Sequence, residues 1–338
     1  MHCNRLIIAE IGVNHNGDID LAKEQIKLAK QSGADVVKFQ TYITEELVTM
    51  DAGKAEYQKS YESEFTDQYS MLKKFEFSYH QFEELSKYCS KVGIEFLSTA
   101  FDIESLKFLK SLGIKRIKVP SGEVDNLPFL KELPSFKLPI ILSTGMSTLY
   151  EVKNAVSILI EGGVIQDQIT VLHCTSEYPA ALDTVNLRAI QSLKKELGLE
   201  IGYSDHSQGL LVPTLAYSLG VRVIEKHFTS SKDIPGPDQD ASLDPKEFEK
   251  MIKVFDDIDL SMGSVIKKPS SIEEKNKLSI RRSIVAKEPI QKNELFSEDN
   301  LALKRPGDGI PASKWYDILG QKASKNFKID EKISIDDD

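Results

Sequence analysis

Short β-branched runs alternate with amphipathic helical patterns along most of this chain. The alternation is typical of a parallel sheet, because each strand needs a crossover helix before the next parallel strand can pair with it. We expect eight strand segments, the number that closes a (β/α)8 (TIM) barrel. They cover residues 6–12, 35–41, 95–100, 116–121, 139–144, 169–174, 200–205 and 221–228.

The helical segments support the same fold. In residues 20–34, apolar side chains recur at intervals of three and four, and Gly33 provides a helix stop. An open, doubly wound sheet is the alternative, but its first strand would normally be followed by a glycine-rich phosphate-binding turn. No G-x-G-x-x-G motif occurs in the sequence, and this favours the barrel.

Two segments depart from the alternating pattern. Residues 42–77 form a connection long enough to be functional or to carry short helices of its own, and one role for it is a lid. Residues 266–280 form a charged segment with Pro and Ser, which we interpret as a linker. We therefore expect a barrel domain at 1–265 and a small β-rich domain at 281–338.

Composition restricts the possible partners and compartments. The 338 residues include 52 acidic and 43 basic side chains, for a net charge of −9, which argues against nucleic-acid binding. The first apolar run is interrupted by Glu10, too early for a signal sequence or a membrane span. Cys3, Cys89 and Cys174 include no C-x-x-C pair, so we expect buried, unpaired cysteines in a cytoplasmic protein.

Polar side chains occupy the carboxyl ends of the predicted strands, where (β/α)8 barrels carry their catalytic groups. Lys38 and Lys118 lie within apolar strands, where an ammonium group is costly unless it is paired. One explanation is a salt bridge to Glu10 or Glu123. A second is a clamp for a small dianion such as phosphoenolpyruvate, and a third is a Schiff-base lysine, as in pyruvate aldolases. Hydroxyl groups near the two lysines belong to Thr99, Ser121, Ser143 and Ser204.

Two histidines follow the last two predicted strands. His206 and His227 are therefore expected at one edge of the barrel mouth. Either alone is more often an ordinary hydrogen-bonding residue, but two neutral imidazoles at neighbouring strand ends favour a divalent metal site. His15 and His173 have a similar placement, and we interpret them as hydrogen-bonding or packing residues.

Two loops carry further candidates. Residues 232–245 form a Pro- and Gly-rich loop after the eighth strand, in which Asp238 is positioned to bind sugar hydroxyls. The alternative is a solvated connector to the last helix of the barrel. In the second domain, Arg305 lies on a turn within 304–310, where the alternative is an ordinary exposed arginine.

Nine motifs resemble those of the sialic acid synthase family, in this order and at about this spacing. They are AEIGVNHNGD, VKFQT, KVPSGE, STGM, LHCTSEYP, GYSDHS, EKHFT, PGPD and KRPGDG. The resemblance covers nearly the whole chain and implies a (β/α)8 barrel followed by an antifreeze-like (SAF) domain. It also implies a domain-swapped homodimer, in which the SAF domain of one subunit covers the active site of the other.

The resemblance also implies roles for individual residues. His206 and His227 correspond to ligands of a divalent metal, Mn²⁺ first and Mg²⁺ or Co²⁺ as alternatives, with Glu10 near the metal and its water. Glu10 and Glu123 are candidates for stabilising the positive charge that develops at the enol carbon of phosphoenolpyruvate and for handling the proton of the water that adds there. The phosphoenolpyruvate site corresponds to Lys38, Thr99, Lys118, Ser121, Ser143 and Ser204. The amino-sugar site corresponds to Gln40, Glu123, Tyr178, Asp238 and, from the other subunit, Arg305.

The implied reaction condenses phosphoenolpyruvate with N-acetylmannosamine and water to give N-acetylneuraminate and phosphate. We expect this acceptor because the segments KAEYQ and WYDILG resemble bacterial N-acetylneuraminate enzymes. The alternative within the family is a legionaminic or pseudaminic acid synthase that uses a 6-deoxy diacetamido sugar. Outside the family, the alternatives are a Schiff-base pyruvate aldolase and a non-catalytic sugar-binding protein.

Overall fold

Eight parallel strands form a closed barrel in the computed structural model, which describes residues 5–55, 65 and 67–335. Each strand pairs with the next along the chain, and the eighth pairs with the first. The strands are β1 (Leu6–Gly12), β2 (Val36–Thr41), β3 (Glu95–Ala100), β4 (Ile117–Val119), β5 (Ile140–Ser143), β6 (Ile169–Cys174), β7 (Glu200–Asp205) and β8 (Val223–His227). The predicted barrel is confirmed.

Helices alternate with these strands. They are α1 (Ile19–Gln31), α2 (Thr44–Leu47), α3 (Gln68–Phe75), α4 (Tyr79–Val92), α5 (Ile103–Ser111), α6 (Leu127–Glu132), α7 (Leu149–Glu161), α8 (Ala189–Leu197), α9 (Leu211–Ser218) and α10 (Pro245–Met262). Capping boxes at Ser78 and Thr148 begin α4 and α7. Gly33, with φ of 93°, follows α1 where the helix stop was predicted. Among the described residues, no helix has both the length and the apolar character needed to cross a membrane.

The interior of the barrel is layered. Towards the amino ends of the strands, an apolar layer consists of Ile8, Val36, Leu97, Ile141, Leu172 and Val223. Because strand side chains alternate between two faces, the residues two positions further along also face inward. That second layer is polar, and its members from these strands are Glu10, Lys38, Thr99, Ser143, Cys174 and Glu225. The apolar floor therefore supports a polar site at the carboxyl ends of the strands.

The long connection between β2 and α4 contains α2 and α3, as the sequence predicts. Its two ends are joined, since the Glu76 carboxylate accepts hydrogen bonds from the backbone N and the hydroxyl of Thr44 at 2.9 and 2.6 Å. The Tyr42 hydroxyl also donates to the carbonyl of Leu72 at 3.0 Å. Part of the segment 42–77 interpreted as a lid, and part of the segment KAEYQ, fall on residues 56–64 and 66, which lie outside the described residues.

The chain divides after Met262 into two compact units. The second unit contains α11 (Ser271–Ile280), β9 (Ser283–Ala286), β10 (Leu301–Lys304) and α12 (Trp315–Ile318), with β9 and β10 antiparallel. Its core includes Ile284, Phe296 and Phe327. Helix α11 lies in the segment predicted to be a linker. The sequence of this helix is mostly charged and polar and shows no apolar face from which a helix could be predicted. None of its side chains is buried.

Candidate active site

A cavity of about 510 Å³ lies at the carboxyl ends of the barrel strands. Eleven of the residues predicted for the site line it. They are Glu10, Lys38, Gln40, Thr99, Lys118, Ser121, Ser143, Tyr178, Ser204, His206 and His227. Strand alternation accounts for this convergence, because most of these residues occupy inward-facing positions above the apolar floor.

Two buried lysines lie side by side in this cavity. Lys38 Nζ is 2.6 Å from Glu10 Oε2 and donates to Thr99 Oγ1 at 3.1 Å. Lys118 Nζ donates to Ser143 Oγ at 2.7 Å. The contact between Lys38 and Glu10 is the salt bridge considered from the sequence. The same ammonium groups are also surrounded by hydroxyl groups, an arrangement that suits an anionic ligand.

Glu225 is a member of this cluster that sequence reasoning did not select for the site. Its Oε2 is 3.7 Å from Lys38 Nζ, and its Oε1 is 3.8 Å from Lys118 Nζ. Ser204 Oγ donates to Glu225 Oε1 at 3.0 Å. Strand alternation was the available signal, because a residue two positions before His227 must face the same side of β8.

The four charged groups influence one another's pKa values. Burial raises the pKa of Glu10 to about 7, with Lys38 opposing this shift and Glu225 adding to it. Burial also lowers the pKa of Lys118. The pKa of Lys38 is raised, because Glu10 and Glu225 outweigh the effect of its burial. Lys38 is therefore the firm positive charge of the site, and Glu10 is a carboxyl group able to exchange a proton near neutral pH.

His206 and His227 also lie side by side, with ring centroids 5.5 Å apart. His206 Nδ1 is 2.6 Å from the carbonyl oxygen of Thr175, so Nδ1 carries the proton and Nε2 is left with a lone pair. Burial lowers the pKa of His206 to about 4, and it lowers the pKa of His227 well below its usual value. Both imidazoles are therefore neutral near pH 7.

These features fit a divalent metal ion. A neutral imidazole whose Nδ1–H is held by a backbone carbonyl presents Nε2 as a ligand. His227 Nδ1 is buried and has no hydrogen-bond partner in the described part of the chain, and such a group requires an explanation. Within the same residues, no group of three or more His, Cys, Asp or Glu side chains has metal-binding geometry. The remaining ligands would have to be water or substrate oxygens.

Tyr178 and Asp238 lie beside the histidines. The Tyr178 ring stacks on His206 with centroids 4.0 Å apart and meets His227 edge-on at 5.5 Å. Asp238 Oδ2 is 3.7 Å from His227 Nδ1, and burial raises the pKa of Asp238 to about 7. Asp238, Gln40 and Tyr178 line a smaller neighbouring cavity of about 70 Å³. Polar groups suited to a sugar therefore cluster on this side of the site.

One predicted site residue of the barrel unit lines neither cavity. Glu123 is half-buried on the turn Ser121–Glu123, which follows the short strand β4, and its carboxylate accepts a hydrogen bond from Asn126 Nδ2 at 2.5 Å. Arg305 belongs to the second unit and is exposed. Of the two carboxylates proposed to handle water, the structure thus brings Glu10 to the cavity wall, whereas Glu123 is engaged elsewhere.

The remaining expectations concern the cysteines and His15. Cys89 and Cys174 are buried and free of disulfides, as expected, and Cys3 lies outside the described residues. His15 stacks on Phe77 with ring centroids 4.0 Å apart, which agrees with the packing role predicted for it.

Comparisons with known proteins agree with this geometry. The NeuB family model matches residues 25–267, and the SAF domain model matches residues 281–337. The N,N′-diacetyllegionaminic acid synthase of Campylobacter jejuni is 47% identical over 97% of this chain and 98% of its own length. The synthase of the same name from Legionella pneumophila is 48% identical over 95% of this chain and 91% of its own. The crystal structure of N-acetylneuraminic acid synthetase from Leptospira borgpetersenii, in complex with citrate, is 33% identical, has a TM-score of 0.71, and covers 81% of this chain and 90% of that one.

Proposed function

This chain belongs to the NeuB family of sialic acid synthases, and we propose that it makes N,N′-diacetyllegionaminic acid from phosphoenolpyruvate and a six-carbon, 6-deoxy diacetamido sugar. The observation that carries the proposal is one cavity lined by two buried lysines and two neutral histidines. The acceptor differs from the N-acetylmannosamine expected from the sequence. Two relatives at 47% and 48% identity are named for the diacetamido product, whereas the N-acetylneuraminic acid synthetase structure is 33% identical.

Phosphoenolpyruvate binding is assigned to Lys38 and Lys118 with their hydroxyl neighbours. An anionic donor that contacts Lys38 competes with Glu10, whose carboxylate lies 2.6 Å from the Lys38 ammonium group. When Lys38 contacts the donor in place of Glu10, the main interaction that lowers the pKa of Glu10 is lost. The negative charge of the donor raises the pKa of Glu10 further. Donor binding would therefore make Glu10 a stronger base than it is in the free enzyme.

The chemistry follows from these placements. When bound by His206 and His227, a divalent metal ion, Mn²⁺ in our proposal, supplies Lewis-acid polarisation of the acceptor's aldehyde oxygen. The methylene carbon C3 of phosphoenolpyruvate attacks the aldehyde carbon and forms the new C–C bond. Water adds to C2 while Glu10 accepts a proton from it, and that proton passes to the former aldehyde oxygen, which becomes a hydroxyl group. The bond from C2 to the phosphate oxygen then breaks, and phosphate leaves with the proton of the C2 hydroxyl group as C2 becomes a carbonyl. Three donor carbons and six acceptor carbons give the nine-carbon product.

Apolar side chains in the cavity support a deoxy sugar as the acceptor. Tyr42, Leu47, Val48 and Leu72 lie in the 42–77 connection, and Phe101 and Met146 follow strands β3 and β5. A 6-deoxy diacetamido sugar carries a methyl group in place of a hydroxymethyl group, and it has two acetamido methyl groups. Each methyl group transferred from water to apolar surroundings contributes about 0.8 kcal/mol. A wall of this composition therefore favours the diacetamido sugar over N-acetylmannosamine.

A phosphate-release assay tests the proposal directly. With phosphoenolpyruvate and Mn²⁺, we expect the 6-deoxy diacetamido sugar to give a kcat/KM at least about tenfold above that of N-acetylmannosamine, which corresponds to about 1.4 kcal/mol of discrimination. A higher value for N-acetylmannosamine would reverse the assignment of the acceptor, and no phosphate release with any sugar would refute a synthase. Borohydride with pyruvate is the control for aldolase chemistry. A Schiff-base enzyme would be reduced onto a lysine, for which Lys118, with its lowered pKa, is the candidate.

The domain-swapped dimer remains part of the proposal. The family resemblance assigns Arg305 to the acceptor bound in the other subunit of the dimer, with the SAF domain as a cap. The support is the match of residues 281–337 to the SAF domain model and the KRPGDG motif that contains Arg305.

A further inference from the structure

A fully buried ion pair lies directly behind the two histidines. Asp205 in β7 and Lys226 in β8 are cross-strand neighbours, and each immediately precedes one of the histidines. Lys226 Nζ is 2.6 Å from Asp205 Oδ2, and both side chains are 0% exposed. Because side chains alternate along a strand, these two point away from the cavity, towards the helices. Neither residue lines the site.

The backbone of Ser207 is fastened to this ion pair. Its N and its hydroxyl both donate to Asp205 Oδ1, at 3.2 and 2.8 Å. Its carbonyl oxygen accepts a hydrogen bond from Lys226 Nζ. The ion pair therefore holds Ser207, which follows His206, against Lys226, which precedes His227. This hydrogen-bonded group, the anchor, fixes the backbone next to both imidazoles.

The same anchor extends to the aromatic ring in the site. Ala180 forms a β-bridge with Ser207, and Ala180 N donates to the carbonyl of His206 at 2.9 Å. Tyr178, two residues earlier, stacks on His206. The position of Ser207 therefore helps to set the backbone positions of Tyr178 and His206, whose rings stack on each other.

Stability alone is a poor reason to bury this pair. Removing two charges from water is expensive, and replacing a buried ion pair by apolar residues of similar volume is often neutral or stabilising. An ion pair differs from such residues in the directional bonds that fix the relative position of two strands.

We propose that Asp205 and Lys226 are positioning residues that set the separation of His206 and His227 for a divalent metal ion. This inference rests on the proposed function, since it assumes that the two histidines bind the metal. It adds two side chains that touch neither metal nor substrate. Their role is exerted through the backbone on either side of the histidines.

The test is Mn²⁺ binding to the full-length, metal-stripped enzyme, followed by electron paramagnetic resonance of the free ion. In the double variant Asp205→Asn/Lys226→Met, both charges are replaced by neutral side chains of similar size. We expect its dissociation constant for Mn²⁺ to rise about 10- to 100-fold, the loss typical of groups that orient metal ligands. Phosphoenolpyruvate binding without metal should stay unchanged, because Lys38 and Lys118 are held by other contacts.

The matched control is Arg116→Met. Arg116 pairs with Glu95 at 2.8 Å at the amino ends of β3 and β4, the end of the barrel away from the site. Its removal should leave Mn²⁺ affinity unchanged. If the double variant fails to fold, the single variant Asp205→Asn, which retains the shape of the side chain, should still weaken Mn²⁺ binding several-fold.

Three outcomes separate the possibilities. Wild-type Mn²⁺ affinity in a folded double variant, or in a folded Asp205→Asn variant, would overturn the positioning role. An equal loss in Arg116→Met would also overturn it, by showing that any lost ion pair has the same effect. Phosphate release by a wild-type enzyme that does not bind Mn²⁺ would contradict the metal assignment while leaving the synthase reaction intact.

Discussion

Replacing Lys118 by methionine should weaken donor binding far more than it changes stability. Lys118 is 3% exposed, and its ammonium group donates to Ser143 at 2.7 Å. Truncating one partner of a buried charge-assisted contact costs about 2 to 5 kcal/mol, which corresponds to an increase of about 30- to 4,000-fold in the dissociation constant. Because Lys38 remains to bind the donor, we expect a loss near the lower end, about 30- to 100-fold.

The stability of this variant is expected to change little, because two effects oppose each other. Burial lowers the pKa of Lys118, so the folded protein disfavours its charge, and methionine removes that cost. The same change leaves Glu225 with one remaining lysine, Lys38, at 3.7 Å. Thermal unfolding of the apo protein should therefore give similar midpoints for the variant and the wild type.

The assay is calorimetric titration of metal-free enzyme with phosphoenolpyruvate. Lys115→Met is the matched control, since Lys115 lies three residues earlier and its side chain is 71% exposed. The control should bind the donor like the wild type. Equal donor affinities for Lys118→Met and Lys115→Met would refute the assignment of Lys118 to the donor site.

Three further predictions concern the metal, acid stability and subunit assembly. EDTA should abolish phosphate release and Mn²⁺ should restore it, whereas His206→Ala and His227→Ala should lose Mn²⁺ binding; full activity in rigorously metal-free enzyme would contradict this. Burial lowers the pKa of His15 to about 3, below its usual value near 6.5. The free energy of unfolding is therefore unaffected by His15 above pH 6.5 and decreases as the pH falls from 6.5 towards 3, because the unfolded chain binds the proton more readily. Between pH 7 and pH 5, urea unfolding followed by circular dichroism should show the wild type losing about 2 kcal/mol more than His15→Asn, and parallel losses would contradict the pKa shift. Arg305→Ala and Lys38→Met subunits, each inactive alone, should recover part of the wild-type activity after mixing. One of the two sites in each mixed dimer then has an intact barrel and an intact cap. No recovery after confirmed subunit exchange would contradict capping in trans.

The barrel and the inner part of the site were predictable because both depend on periodicity. Eight β-branched runs identify the strands, and polar residues near their ends converge once the barrel closes. Lys38, Thr99 and Ser143 were identified in this way, and all three line the cavity. Glu225 was within reach of the same argument, since it lies two positions from His227 on one strand.

Other features depend on information that periodicity does not carry. Helix α11 has a capping box but no apolar face, so its sequence is typical of a linker. Glu123 follows β4 by a few residues, but the direction in which a turn presents a side chain depends on backbone geometry. In our proposal, the choice of acceptor depends on a methyl group in place of a hydroxymethyl group and on an acetamido group in place of a hydroxyl group. We attribute that choice to cavity side chains such as Leu47 and Leu72, which are separated in the sequence and come together only in the fold.

The joined ends of the 42–77 connection bear on how enzymes of this kind diversify. Thr44 and Glu76 are hydrogen-bonded at the base of this connection, while most residues proposed to bind the donor and the metal lie in or directly after the barrel strands. Because this base is closed, we expect mutations between Thr44 and Glu76 to alter the wall proposed to meet the sugar with little effect on β2 or α4. Under the proposed function, substitutions in this one connection can therefore change part of the acceptor wall while leaving the residues proposed for the donor and the metal in place.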